Sequence, residues 1–159
     1  SCVSPPIQNA AVQAYTDYKT VDEYLIHSRR LLSIVGSYCA NSLAKAGVRV
    51  RAPSGAFYLF PDFENFREKL TERGLTNSPE LCEQLLQDTG VALLPGSEFG
   101  CDATELNARL AYINFDGTKA LKISKQIPTD KIMTIDDIMP ICADVIEAID
   151  RITKWLQAF

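Results

Sequence analysis

The chain has 159 residues, with 16 Lys or Arg against 20 Asp or Glu, a net charge of −4 and a pI near 5.0. Hydrophobic residues make up 47% and charged residues 23%, the balance of one globular domain large enough to bury a core, and no apolar run reaches the roughly 18 residues needed to cross a bilayer. The acidic balance, with Arg29-Arg30 as the only basic doublet, leaves no electrostatic footprint for phosphate backbones, so neither a membrane nor a nucleic acid is expected as partner.

The opening, Ser-Cys-Val-Ser-Pro-Pro, has no charged segment followed by an apolar one and is read as a cut made inside a longer protein. After Pro5-Pro6, the spacing of Ile7, Ala10, Ala11, Ala14 and Tyr15 predicts a short amphipathic helix of about three turns. Thr20-Val-Asp-Glu23 has the form of a capping box opening a long helix, whose apolar face is Tyr24, Leu25, Leu31, Leu32, Val35, Cys39 and Leu43 and which Gly47 is placed to end. The period then changes. Val48–Val50 and Ala56–Phe60 read as two strands, the second bounded by Pro-Ser-Gly and Pro-Asp.

Ser78-Pro79-Glu80 sets an N-cap, a proline at the first helical position and an acidic first turn, with Leu81, Leu85 and Leu86 as the buried face up to Gly90. Val91–Leu94 is an apolar strand stopped by Pro95-Gly96, residues 95–107 form a loop, and Arg109–Ile113 alternates as another strand. The polar, Lys-rich stretch from Asp116 to Asp130 reads as a surface excursion with at most a short helical piece. Ile138, Ile141, Val145, Ile149, Ile152 and Leu156 define a C-terminal helix. The expected fold is α/β, resembling an α+β small domain: a small mixed β-sheet packed against long N-terminal and C-terminal helices.

The five cysteines, Cys2, Cys39, Cys82, Cys101 and Cys142, are odd in number and widely spaced, which argues against a disulfide framework or a zinc site and for a reducing cytosol. Most fall at apolar positions and read as small buried hydrophobes, with Cys101 beside a glycine loop as the exception. His27, the only histidine, has no nucleophile spaced to pair with it and reads as a surface residue. Asp62, Glu64, Asp102, Asp116 and Asp136-Asp137 lie where turns and helix starts explain them. Two features carry more. Leu94-Pro-Gly-Ser-Glu-Phe-Gly100 frees the backbone to approach another group closely, or is a plain turn. Arg109 opens an otherwise apolar strand, as an anion clamp facing a cleft or as an edge arginine reaching water.

Taken together, Pro-Ser-Gly-Ala-Phe-Tyr-Leu-Phe-Pro-Asp at 53–62, Thr-Gly-Val-Ala-Leu-Leu-Pro-Gly-Ser-Glu-Phe-Gly at 89–100 and Ala-Arg-Leu-Ala-Tyr at 108–112 resemble the C-terminal part of class I/II aminotransferases, which use pyridoxal phosphate on fold type I. Ser4-Pro-Pro-Ile-Gln8 is similar to the segment before that family's small-domain long helix. The resemblance implies that Arg109 binds the substrate α-carboxylate, that the loop containing Gly96 lies near the substrate, and that Phe57 approaches the same pocket. It implies amino-acid and 2-oxo-acid substrates and a homodimer at full length. The departures are equally specific. Ser124-Lys125 lacks the downstream glycines and arginine of the family's cofactor-anchoring lysine motif, and neither the phosphate-cradling glycine loop nor the aspartate that pairs with the pyridine nitrogen is found.

Residues 1–159 are therefore expected to form a single domain, the C-terminal small domain of an aminotransferase, with the large cofactor-binding domain absent and the fragment alone inactive and without cofactor. The alternatives are a related pyridoxal-phosphate lyase, a non-catalytic binding or interaction module that reuses the fold, and a thiol enzyme built around Cys101.

Overall fold

A computed structural model describes residues 3–158, apart from the side chain of Thr20. Helix α1 (Pro5–Thr16) starts on its prolines as the sequence predicts, yet none of its residues is buried, and Ile7 and Tyr15 stand in solvent. After a break at Asp17, α2 runs from Tyr18 to Lys45. Its start precedes Thr20 by two residues, and the predicted capping box at Thr20 lies outside the described side chains. Of the predicted face, Leu31, Val35, Cys39 and Leu43 are buried, whereas Tyr24 is exposed. The helix closes as foreseen: Gly47 takes φ +98, its N–H donates to Ala44 O at 3.0 Å, and Val48 N–H donates to Leu43 O at 3.1 Å. These paired bonds satisfy carbonyls that the helix end leaves open.

The strands are shorter than the sequence suggests. β1 is Tyr58–Leu59, β2 is Leu94–Pro95 and β3 is Ala108–Ala111, in the order β1-β3-β2. Both pairings are antiparallel, so the sheet is antiparallel throughout rather than mixed. Val48–Val50 contributes a single bridge, Arg49 to Asp62. The predicted Ala56–Phe60 strand cannot begin at Ala56, whose φ of +55 turns the chain, and it ends at Leu59, short of Pro61, which has no N–H to give to a ladder. Val91 donates its N–H to Thr89 Oγ1 at 3.1 Å instead of to a strand, so pairing starts only at Leu94, which is exposed.

Residues 63–77, to which the sequence assigns no element, form a 3₁₀ turn at Glu64–Phe66 and the short helix α3 (Arg67–Glu72). Helix α4 (Ser78–Thr89) is capped by Asn77, not Ser78: the Asn77 side chain accepts the Glu80 N–H, while Ser78 is fully buried. Leu81 and Leu85 are buried, Leu86 is exposed, and Gly90 ends the helix at φ +74. The segment expected as a surface excursion is a 10-residue helix, α5 (Gly117–Gln126), capped by Asp116 and packed on α2 through the buried Ala120 and Ser124. Its two fully buried residues are small or hydroxyl-bearing, while Leu121, Ile123 and Ile127 pack against the core only in part, which leaves a weak apolar pattern between the lysines. After a 3₁₀ turn at Ile135–Asp137, α6 (Ala143–Gln157) buries Val145, Ile149, Ile152, Trp155 and Leu156 against α2 and α4.

Helices α2, α4, α5 and α6 thus enclose one apolar core with the sheet, and the other sheet face, with its residues opposite one another every second position, is left for Arg109. Among the described residues no helix is long and apolar enough to cross a membrane.

Candidate functional site

Register builds the site. Within β3, Ala108 and Leu110 point into the core, so the alternation of a strand turns Arg109 to the other face. Leu94 of β2 lies directly opposite Arg109, and Tyr58 of β1 lies opposite Ala111, two residues along the same face. A 3₁₀ turn at Gly96–Phe99 follows β2 at once and brings Phe99 to Arg109 of β3. The Arg109 guanidinium carbon sits 4.0 Å from the Phe99 ring centroid and 4.5 Å from that of Tyr58. Phe60 meets Phe99 edge-on at 6.3 Å. Two aromatic faces attract the cation through their quadrupoles and exclude water from it, while the N–H donors stay in the guanidinium plane. Among the described residues Arg109 makes no ion pair; the arginines that do are Arg49, Arg67, Arg73 and Arg151. A guanidinium fork can give two parallel hydrogen bonds to one carboxylate, and here it is half-buried with no carboxylate of its own among the described residues.

Gly96 is buried at the start of the turn, and its N–H donates to Asn107 O at 3.0 Å. A Cβ at this position would collide with Asn107 Oδ1 and stand 2.7 Å from its Cγ, so the close approach read from the sequence is real and is made to the protein's own chain. Phe57 packs partly into the core, its ring 4.3 Å from that of Tyr58. The structure therefore joins Arg109 to the Gly96 turn through Phe99 and to Phe57 through Tyr58. Tyr58 and Phe60 belong to the run at 55–60, whose sequence puts aromatics on both faces of a strand, for a pocket on one side or for core packing, whereas Phe99 is not singled out by the sequence. The signal was present in the alternation of Tyr58 and Phe60 on the face away from Leu59, and in Phe99 three residues after Gly96. Tyr58 and Phe60 also border an open groove of about 860 Å³ that includes Arg51 and Ser54.

His27 is not a surface residue. It is buried on α2, with Nδ1 2.9 Å from Ser124 Oγ of α5. The same interface carries an ion pair from Lys125 Nζ to Glu23 Oε1 at 2.8 Å, which holds the Glu23 carboxyl below its ordinary range, and Arg30 donates to Ile127 O and Lys131 O. These bonds fasten α5 to α2 away from Arg109.

Thiol chemistry finds no support in this arrangement. Burial pushes Cys39 up to about 12 and Cys82 to about 11, and raises Cys142 as well, the behaviour of inert core thiols. Cys101 is half-buried, and the one histidine that could serve it is engaged with Ser124. Cys2 lies outside the described residues. The carboxylates are structural as expected: Asp62 accepts Glu64 N–H, Asp102 accepts Thr104 N–H, Asp116 accepts Lys119 N–H and Asp137 accepts Thr134 N–H. Among the described residues no cluster of His, Cys, Asp or Glu could hold a metal ion.

Lys125, the one lysine preceded by a serine, is ion-paired to Glu23, and that serine is buried against His27. The residues present at this interface, with the lysine ion-paired and the serine buried, do not fit pyridoxal phosphate as an anchor.

The sequence profile described as aminotransferase class I and II matches residues 1–120, which contain Phe57, Gly96 and Arg109. A probable N-acetyl-LL-diaminopimelate aminotransferase of Bacillus subtilis is 39% identical over 103 residues, 62% of this chain and 22% of that protein. A valine–pyruvate aminotransferase of Mycobacterium tuberculosis is 28% identical over 165 residues, 98% of this chain and 32% of that protein. Among solved structures, an aromatic aminotransferase of Pyrococcus horikoshii superposes with a TM-score of 0.56 at 26% identity, over 96% of this chain and 31% of that one. An aspartate aminotransferase of Thermotoga maritima does so with a TM-score of 0.52 at 25% identity, over 99% of this chain and 30% of that one. The chain spans about a third or less of the length of these relatives. With a profile match over most of its length, the chain belongs to the aminotransferase class I and II family.

Proposed function

We propose that these residues form the small-domain part of a pyridoxal-phosphate-dependent aminotransferase and supply the site for the substrate's α-carboxylate. The observation that carries this reading is the Arg109 guanidinium, held against Tyr58 and Phe99 with no carboxylate partner among the described residues. A forked pair of charge-assisted hydrogen bonds fixes both the position and the rotation of an amino acid or 2-oxo acid, and such orientation lowers the barrier of the step that follows. Gly96 sets the turn that carries Phe99, and Phe57 backs Tyr58, so both act on Arg109 through an aromatic neighbour. The cofactor supplies the electron sink of amino-group transfer and would be held by a large domain outside these residues. The parent would be a homodimer in a reducing cytoplasm, in keeping with the free thiols of Cys39, Cys82 and Cys142.

The test is a visible absorption spectrum of the full-length protein purified from its native source, incubated with pyridoxal phosphate and freed of unbound cofactor, before and after an excess of amino acid. A coloured band that shifts on addition supports the reading. A protein that stays colourless overturns it in favour of a binding module that has kept the small-domain fold without catalysis.

A further inference from the structure

Ala56 is the only non-glycine residue with positive φ among the described residues, at φ +55. A side chain in this region is strained and persists only where its surroundings hold it. One residue gives this turn two hydrogen bonds. Tyr112 donates its hydroxyl to Ala56 O at 3.2 Å and its backbone N–H to Phe57 O, also at 3.2 Å. The Tyr112 ring is buried, and it reaches this place because Gly36 of α2 has no side chain: a Cβ there would stand 2.7 Å from both Tyr112 Cζ and Oη. Two residues past Ala56 comes Tyr58, the ring on which Arg109 rests, and Tyr112 itself lies three residues after Arg109.

We propose that Tyr112 is a positioning residue for the carboxylate site: its hydroxyl holds Ala56 in the left-handed conformation and thereby keeps Tyr58 under the Arg109 guanidinium. This inference rests on the reading of Arg109 as the carboxylate receptor. Without the hydroxyl, Ala56 relaxes toward the ordinary regions of backbone space, Tyr58 moves with it, and the guanidinium loses one of its two rings. The orientation competent for binding is then less populated, and apparent affinity falls in proportion.

The full-length protein, labelled with ¹⁵N, is titrated with pyruvate as the carboxylate probe, following the Arg109 Nε–Hε resonance. Tyr112→Phe removes one oxygen atom and keeps the ring in its place. It is expected to shift the unliganded Arg109 resonance and to weaken pyruvate binding about three- to ten-fold, the range of one neutral hydrogen bond. Adding Ala56→Gly, which adopts positive φ without strain, should return both the resonance and the affinity toward the wild type. A residue that merely filled the core would show no such rescue. Arg109→Gln separates the two readings. If it abolishes pyruvate binding while Tyr112→Phe leaves resonance and affinity unchanged, or while Ala56→Gly fails to restore them, the positioning role is overturned and the Arg109 reading stands. If wild-type Arg109 is indifferent to pyruvate, or Arg109→Gln binds it equally well, the carboxylate reading falls and the positioning role falls with it.

Discussion

Replacing Gly96 with Ala puts a methyl group where Asn107 already stands. The new Cβ would overlap Oδ1 and lie 2.7 Å from Cγ and 3.3 Å from the Asn107 backbone oxygen. Neither partner yields readily. Gly96 is tied by its N–H to Asn107 O at 3.0 Å, and Asn107 Nδ2 donates to Glu105 Oε2 at 2.8 Å. Swinging the amide away gives up the bond to Glu105, and shifting the backbone breaks the bond between Gly96 and Asn107. Overpacking of a closed site costs about 1–3 kcal/mol, and for a chain of this length each kcal/mol moves Tm by about 2–4 °C. We expect Gly96→Ala to lower stability by about 2 kcal/mol in urea melts and Tm by about 4–8 °C. Asn107→Ala removes the obstructing atoms together with the buried Oδ1, which has no hydrogen-bond partner. In the double variant the two changes should couple favourably, with a loss smaller than the sum of the single losses by about 1 kcal/mol. An unchanged Tm for Gly96→Ala, or strict additivity in the cycle, would refute the account of this turn.

Two further perturbations probe the packing around the core. Ser124→Ala leaves His27 Nδ1 buried without its 2.9 Å partner and should cost about 1–3 kcal/mol in denaturant melts, whereas adding His27→Leu should recover part of that loss because no orphaned polar atom remains. Trp155 Nε1–H donates to Asp88 Oδ2 at 2.7 Å and is the chief cause holding the Asp88 carboxyl below its ordinary value of 3.8. A depressed carboxyl stabilises the fold above its unfolded pKa, and the contribution fades as pH falls through the lower folded value. Trp155→Phe should therefore be less stable than wild type at pH 7, and the component of that gap due to Asp88 should start to shrink at about pH 4 and vanish only below the lower folded value. A gap independent of pH would show that only packing was lost.

Local signals were legible where one segment contains its own explanation. Gly47 and Gly90 mark helix ends because positive φ is written in the residue type, and the buried positions of α2 and α6 follow from their apolar period. Signals that depend on a distant partner were not. His27 reads as a surface residue because the hydroxyl that satisfies it is 97 residues away. The strand read from Ala56 runs past the observed one because Ala56 gives no sign of its positive φ, and the helix at Gly117–Gln126 is faint in the sequence because its fully buried residues, Ala120 and Ser124, are not large apolar ones. At the site, Arg109 stood out as a charge in an apolar strand. Its aromatic support did not, since Tyr58 and Phe99 arrive from separate segments and meet only when the sheet pairs.

The most direct measurement is kcat/KM for exchange of an amino group between an amino acid and a 2-oxo acid, comparing Arg109→Ala with wild type in the protein from its native source. Losing a bidentate, charge-assisted contact from a half-buried site should lower kcat/KM by about two orders of magnitude or more, and Arg109→Lys should restore little because an ammonium lacks the fork. A kcat/KM that survives Arg109→Ala unchanged would contradict the assignment of this residue as the carboxylate receptor.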